Sequence, residues 1–577
     1  MNKFKIYIEK HPDVFSIFLL AILCGIFLFW GLNFYPLIDV DETRYAIMSK
    51  DLIGSHNWNL LLLNSVPFLE KPPFYFWIVA FSIKLFGKFS TISVRFPIAL
   101  LASFLVFFTY FFGRKIISRK FGLMSAIVML TSVFYLVFAH IAILDMVLTV
   151  WLASALYSAY LTHVVTEPYK KFCWWGFWTF AGLGFLAKGI LAIAIPLVVV
   201  FIYSFFTKTL KEMFKPLHMV VGFIIFLLII MPWHIAMYRD FGNSFLYEYF
   251  FKHHFERLIN SNEIGRKHSF FYFVPVFLVA FMPWTIVFLA SIADGCKDLF
   301  NRFKKAQGKI VNKLLAVVEA KDENQHLILF ASIYFIVTFG VMSVSSTKLP
   351  TYILPAVPAA ALLTGYFWCR SYKENKFVLS LSTHMVAIIF IIAGLVASIG
   401  FAFLPSNIIE MVDPFKYPVL IGCCFVGMLL LVQLKTEKVL SIFSGYVITM
   451  FFVITFAVTY LFNLIYAGGE NELVLYSNYA NTTNTRLVTF DFAVKPSTKI
   501  NYGDYVYFIT DTDFDKFNEL ADSTLPTYFI VKNKNVKNGE YQDKLDAKLY
   551  LVQQGKKYSL YFNKKLPEKL IINPYIQ

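Results

Sequence analysis

The chain has 577 residues, of which 58% are hydrophobic, 19% aromatic and only 15% charged. Soluble domains carry about 25% charged residues, so a water-soluble multidomain enzyme is excluded, and so is a disordered chain. The net charge of +16 comes from basic residues in short clusters between apolar runs, which excludes a nucleic-acid-binding face.

A helix crossing a bilayer needs ~20 apolar residues. Thirteen segments qualify: 13–35, 93–112, 121–139, 142–162, 172–187, 189–206, 217–237, 272–293, 326–344, 350–369, 378–403, 417–434 and 439–467. The first resembles a lipoprotein signal at Leu23-Cys24, but Leu23 is too large for that motif, so a retained anchor is expected. The stretch 74–87 is short and carries Lys84. Charge decides its placement. If it does not cross, the clusters at 113–120, 167–171, 207–216, 294–325, 370–377 and 435–438 all fall on the same side as the basic N-terminus, the cytoplasmic one. It is therefore expected to lie in the outer interface as an amphipathic helix with its aromatics buried. All six cysteines, Cys24, Cys173, Cys296, Cys369, Cys423 and Cys424, fall in spans or on the inner side, and no disulfide framework is expected.

The expected fold class is an α-helical polytopic membrane protein of about 13 transmembrane helices with a small C-terminal soluble α/β domain. The membrane part takes residues 1–467, with outer loops at 36–92 and 238–271. The tail, 468–577, is polar and is expected outside. It holds short β-type runs at 505–509, 528–531, 549–552 and 558–562, and either an α/β or a mostly-β domain would suit them. No internal repeat is visible, which weakens a transporter built from two halves.

The candidate chemistry lies in the outer loops. The first loop opens on Asp39-Val40-Asp41-Glu42-Thr43-Arg44-Tyr45. Acidic residues favour a helix start for electrostatic reasons alone; the alternative is a functional carboxylate, Asp41, with Arg44 one turn beyond. Next comes Glu70-Lys71-Pro72-Pro73, in which two prolines fix the backbone that aims Glu70 and Lys71. Asp145 sits in a very short turn between spans, where an acid is either exposed or functional. Lys188 stands alone in an outer turn, and snorkelling to the interface is its favoured explanation. The second loop holds His253, His254 and Arg257. Of these, His254 and Arg257 share a helix face and favour an anion site. A metal site using His254 and Glu70 is the weaker alternative, lacking a clear third ligand. Lys348 and Tyr352 lie in the outer connection Lys348-Leu349-Pro350-Thr351-Tyr352-Ile353-Leu354-Pro355. Tyr352 suits either an aromatic belt or a phosphate site.

Three strings in this order, Asp41-Glu42-Thr43-Arg44-Tyr45, Glu70-Lys71-Pro72-Pro73 and Lys348 to Pro355, resemble the bacterial aminoarabinose transferases that modify lipid A. Those are lipid-phosphate-dependent glycosyltransferases of the GT-C fold, a group that includes the protein O-mannosyltransferases. The resemblance implies an inner-membrane enzyme acting on the periplasmic side. Its donor would be an amino sugar on undecaprenyl phosphate, its acceptor a lipid A phosphate, and its effect resistance to cationic antimicrobial peptides. The sugar stays open: aminoarabinose, galactosamine or another hexosamine. Carried over residue by residue, Asp41, Glu70 and Asp145 become the catalytic acids. Lys71, Arg44, Arg257, Lys348 and Tyr352 become the phosphate-binding set. No cofactor is certain, and a divalent cation stays open. A protein O-glycosyltransferase is the runner-up, and a lipid flippase or transporter the non-enzymatic alternative.

Overall fold

A computed structural model describes residues 12–565, apart from 56, 64–65, 257–267, 306–321, 375, 401–405, 436–437, 457–469, 493, 504–505, 511, 540–541 and 556. The chain forms two compact units. One comprises residues 1–32 and 51–456; the other joins 33–50 to 457–577.

The larger unit is helical. In chain order its main helices are α1 (Pro12–Cys24), α2 (Asp41–Ser55, which begins in the smaller unit), α3 (Phe74–Phe86), α4 (Thr91–Ile116), α5 (Arg119–Leu130), α6 (Val133–His140), α7 (Leu144–Leu161), α8 (Tyr169–Lys188), α9 (Leu191–Phe206) and α10 (Pro216–Phe241). They continue with α11 (Phe273–Ala280), α12 (Thr285–Lys305), α13 (Glu323–Val344), α14 (Val357–Glu374), α15 (Lys376–Gly400), α16 (Ser406–Lys435) and α17 (Val439–Phe456).

Among the described residues, eight helices are long and apolar enough to cross a membrane. The number rises to ten if each bent pair counts as one span: α5 with α6, bent by 62°, and the Phe270–Ala280 helix with α12, bent by 116°. The sequence reading expects about thirteen, and the difference lies in helices that are shorter or carry charge among the described residues. Each predicted segment does contain helix, but Asp13–Phe29 and Leu191–Phe206 are short, and α8 carries lysines at both ends. The protein is a multi-pass membrane protein. Helix α3 has 13 residues, so it spans about 20 Å, well short of a ~30 Å hydrocarbon core. Its Tyr75 and Phe76 are buried inside the protein, while Phe81 and Leu85 are exposed.

Helices α4 and α5 meet through glycine. A Cβ on Gly113 would lie 2.7 Å from the Gly122 Cα, and one on Gly122 would lie 2.7 Å from the Arg114 backbone nitrogen. Backbone on both sides leaves nothing flexible to yield. Small residues allow this approach between helices in a membrane. Gly122→Ala is expected to destabilise the protein by about 1–3 kcal/mol, the usual cost of overpacking. Gly340→Ala in α13, where a Cβ meets nothing within 4 Å, is expected to change stability by less than about 0.5 kcal/mol. Thermal unfolding of both variants in one detergent checks the contrast.

The smaller unit carries a five-stranded mixed sheet. Its strands are β3 (Arg486–Phe490), β4 (Tyr507–Ile509), β5 (Thr527–Lys532), β6 (Tyr550–Gln554) and β7 (Tyr558–Phe562), β1 (Leu62–Leu63) and β2 (Val66–Pro67) being a small hairpin of the larger unit. The spatial order is β4-β3-β5-β7-β6. β3 pairs in parallel with β4 and β5, whereas β7 is antiparallel to β5 and β6. Helices cover both faces. Leu473 and Tyr476 pack with Leu487, Ile530 and Leu560 on one side; Phe517 and Leu520 pack with Val488, Phe529 and Val531 on the other. Burial on both faces makes β5 and β7 continuous apolar runs. The domain is α/β, which removes the mostly-β alternative.

Candidate active site

In the larger unit the site is built around Asp145. This residue lies in the first turn of α7, after Ile143 in an extended conformation with no side-chain cap. An anion there meets the free backbone N–H groups of the helix start. Lys188 is the last residue of α8, where a cation is favoured in turn. α7 and α8 pack as an antiparallel neighbouring pair, and the two ends meet: the Lys188 ammonium is ion-paired with Asp145 Oδ1. Both side chains are only 13% exposed. The ammonium also lies 4.6 Å from the centre of the Tyr352 ring, a cation–π distance. Lys188 is therefore no snorkelling lysine. It joins two residues that the sequence had placed in different roles.

Tyr352 is carried by a 3-10 turn, Pro350–Ala356, which starts with the Tyr352 N–H donating to the Leu349 carbonyl at 3.0 Å. Lys348 precedes this turn and is buried, 4% exposed. Its ammonium donates to the carbonyls of Ser345 (2.6 Å) and His268 (3.3 Å). Burial holds the Lys348 amine below the ordinary lysine pKa.

Glu70 and Lys71 are half-buried, and Pro72 and Pro73 after them are buried. Pro73 caps α3. The first turn of α3 then ties this string to the Asp145 region. The Tyr75 hydroxyl donates to the Ala142 carbonyl at 2.5 Å, three residues before Asp145. The Phe74 ring meets Trp151 of α7 edge-on at 5.9 Å. The connecting loop is pinned by two indoles: Trp77 Nε1 donates to the Trp58 carbonyl (2.6 Å) and Trp233 Nε1 to that of Asn59 (2.9 Å).

The acidic string of the first loop belongs to the smaller unit, and its carboxylates divide by task. Glu42 is 1% exposed and accepts the Ile38 N–H at 2.7 Å. Asp39 accepts the Thr43 hydroxyl, the Ser497 hydroxyl and, at 3.2 Å, the Ser497 N–H. These two hold structure. Asp41 stands at the head of α2 with its side chain 48% exposed, paired with Arg44 Nη2 at 2.6 Å. The Arg44 guanidinium also sits 5.1 Å from the Tyr45 ring centre. Of the three carboxylates, Asp41 is the one open to a substrate.

Arg257 lies outside the described residues. His254 falls on the helical turn Tyr247–Glu256, but its side chain lies outside them too. Among the described residues no group of three His, Cys, Asp or Glu could hold a metal ion. Asp145 pairs with the Lys188 ammonium, and in the smaller unit Asp41 pairs with Arg44.

Residues 70–235 match the family model described as dolichyl-phosphate-mannose-protein mannosyltransferase. That stretch contains Glu70, Lys71, Asp145 and Lys188. An undecaprenyl phosphate-α-4-amino-4-deoxy-L-arabinose arabinosyl transferase of Wigglesworthia glossinidia brevipalpis is 27% identical over 379 residues. The match takes in 64% of this chain and 61% of that relative, so this chain spans about three-fifths of its length. A transferase of the same description from Pseudomonas fluorescens is 23% identical over 76% of this chain and 74% of its own. The crystal structure of ArnT from Cupriavidus metallidurans bound to undecaprenyl phosphate superposes with a TM-score of 0.77. It is 20% identical and covers 95% of this chain and 98% of its own. The Archaeoglobus fulgidus oligosaccharyltransferase is more distant, with a TM-score of 0.51 and 12% identity over 98% of this chain and 76% of its own. The chain is thus similar, over about three-fifths of their length, to bacterial undecaprenyl phosphate-aminoarabinose arabinosyl transferases, and it shares the fold of the ArnT crystal structure.

Proposed function

We propose that this chain is a glycosyltransferase that moves an amino sugar from undecaprenyl phosphate to a phosphate of lipid A at the periplasmic face of the inner membrane. The observation that carries the reading is the Asp145–Lys188–Tyr352 group, with its ion pair largely buried and the helix that follows Glu70-Lys71-Pro72-Pro73 bonded to Ala142 just before it. It offers fixed positive charge next to a carboxylate, the combination needed at a sugar phosphate. Residues 1–467 form the membrane enzyme and 468–577 a periplasmic domain in this reading.

A lipid A phosphate oxygen attacks C1 of the sugar. The bond from C1 to the undecaprenyl phosphate oxygen breaks, and its electron pair leaves with that phosphate. The acceptor is already ionised near neutral pH, so no general base is required. Lys71, Arg257 and Lys188 stabilise the departing phosphate electrostatically. Lys348 holds the Tyr352 turn in place and adds its charge to the same region. The task assigned to Asp145 is to stabilise positive charge on the sugar ring as it becomes oxocarbenium-like, or on its amino group. The first-loop motif assigns Asp41, paired with Arg44, a carboxylate role in transfer as well. The product phosphate carries an added ammonium, which lowers surface negative charge and weakens binding of cationic peptides.

Lys348 gives the reaction an alkaline limb. Its amine is charged below its depressed pKa and neutral above it, so transfer is expected to fall as pH rises through that value, earlier than an ordinary lysine would dictate. Stability moves the other way. Between the folded and unfolded pKa values the unfolded chain binds more protons, so the contribution of Lys348 to stability rises with pH. A pH–rate profile of wild type against Lys348→Arg, which stays charged, should show the limb in the first only.

The direct test is a purified system with amino-sugar undecaprenyl phosphate as donor and lipid A or a Ser/Thr-rich peptide as acceptor. Sugar on lipid A supports the reading. Sugar on the peptide alone replaces it with protein O-glycosylation, the activity named in the matched family model.

A further inference from the structure

Helices α12, α13 and α14 of the membrane unit enclose a cavity of 490 Å³ that the reaction does not use. Its floor is apolar, with Ile333 and Phe335 of α13 and Leu363 of α14 among its lining. Its rim is ionic. Asp294, Asp298 and Arg302 follow one another at intervals of four on α12, so they share one helix face. Asp298 pairs with Arg302 at 2.7 Å, and Arg302 Nη1 donates to Gln325 Oε1 at 3.2 Å. Arg370 of α14 reaches Asp294 at 3.6 Å.

The rim lies far from the substrate turn. Gln325 is in the first turn of α13, while Lys348 follows the other end of that helix. Its 22 residues span about 33 Å, a full hydrocarbon core. The rim therefore stands at the opposite membrane surface from Lys348 and Tyr352. An apolar cleft of this size between spanning helices excludes water, which finds no polar partners on such a floor. In a bilayer, an acyl chain is the filling at hand.

The rim selects the headgroup. Two guanidiniums and two carboxylates sum to zero charge. Guanidinium matches a phosphate, and a carboxylate matches a primary ammonium that can donate hydrogen bonds. An anionic phospholipid would leave the carboxylates facing like charge. A quaternary ammonium could not donate to them. We propose that this cleft is a binding site for a zwitterionic, primary-amine phospholipid, phosphatidylethanolamine, with a chain against Ile333 and Leu363. Its phosphate meets Arg302 and Arg370, and its ammonium meets Asp294 and Asp298. The site is independent of the sugar-transfer reading.

The test is native mass spectrometry of the delipidated full-length protein. It is offered equal amounts of phosphatidylethanolamine, phosphatidylcholine, phosphatidylglycerol and undecaprenyl phosphate. Phosphatidylethanolamine is expected to be retained about ten-fold over the others, the scale of one charge-assisted hydrogen bond. Ile333→Trp, which fills the cleft, should abolish its retention. The rim variant Asp298→Asn should keep retention but lose the preference over phosphatidylcholine, and it gives the readout if the tryptophan variant does not fold. Equal retention of all four lipids means annular lipid only and overturns the proposal. Preference for undecaprenyl phosphate or phosphatidylglycerol overturns the occupant, as does an undiminished preference in Asp298→Asn.

Discussion

Lys188→Ala is expected to lower amino-sugar transfer by at least about 100-fold. The change strips the partner from Asp145 at a place where both side chains are 13% exposed. Removing one partner of a largely buried pair costs about 3–5 kcal/mol, because the remaining charge is left uncompensated. At about 1.4 kcal/mol per factor of ten, a fraction of that loss felt in the transition state accounts for the fall. It also removes the cation held 4.6 Å from the Tyr352 ring centre. Two further variants separate chemistry from structure. Asp145→Asn with Lys188→Ala should recover thermal stability, since no lone charge remains, but not transfer. Lys188→Arg keeps the charge and should recover part of the rate. Rates with purified protein, read beside thermal unfolding, check all three. If the double variant transfers sugar as wild type does, the pair is structural only.

Asp41→Asn is expected to cost about 100- to 1000-fold in transfer, the range seen when one electrostatic stabiliser of a transition state is lost. Its effect on stability should be small, within about 0.5 kcal/mol, because Asp41 is half exposed and its ion pair among the described residues is with Arg44, one turn along. Glu42→Gln should behave in the opposite way. Its carboxylate is buried and accepts the Ile38 N–H, so weakening that bond should cost about 1–3 kcal/mol of stability. The two neighbouring acids thus give opposite patterns in one pair of assays. Loss of transfer without loss of stability in Asp41→Asn is the informative result. Equal loss of stability in both would return Asp41 to the role of a helix-start residue.

Much of this was legible in the residues. Long apolar runs located the helices. The run Tyr558–Phe562 was read as a strand with its full length, because alternating and apolar β-type residues there have no helical period. Other features were hidden for physical reasons. The strand Arg486–Phe490, which lies between β4 and β5, is not evident in the sequence because it is short and opens on a charge; its partners on both sides make it a strand. The bend between α11 and α12 turned one expected span into two helices, and no local residue pattern shows an angle of 116°. Lys188 was missed because a lone lysine beside an apolar helix looks like a snorkelling one. Its partner lies 43 residues back in sequence, and the helix pair α7–α8 brings them together. The signal that could have found it is the matching placement of an acid at a helix start and a base at the next helix end. Asp39 was grouped with Asp41 and Glu42 by adjacency. Its partner Ser497 is 458 residues away, which no reading of the loop alone could supply.

The most direct measurement is mass spectrometry of lipid A from cells with and without this protein, complemented by wild type or by Asp41→Ala and Lys188→Ala at matched abundance. The expected result is one amino-sugar mass on a lipid A phosphate in wild type, absent from the null strain and from both variants. The mass identifies the sugar class. Lipid A that is identical in the null strain and wild type, with the protein present in the membrane, would contradict the account and point to protein as the acceptor.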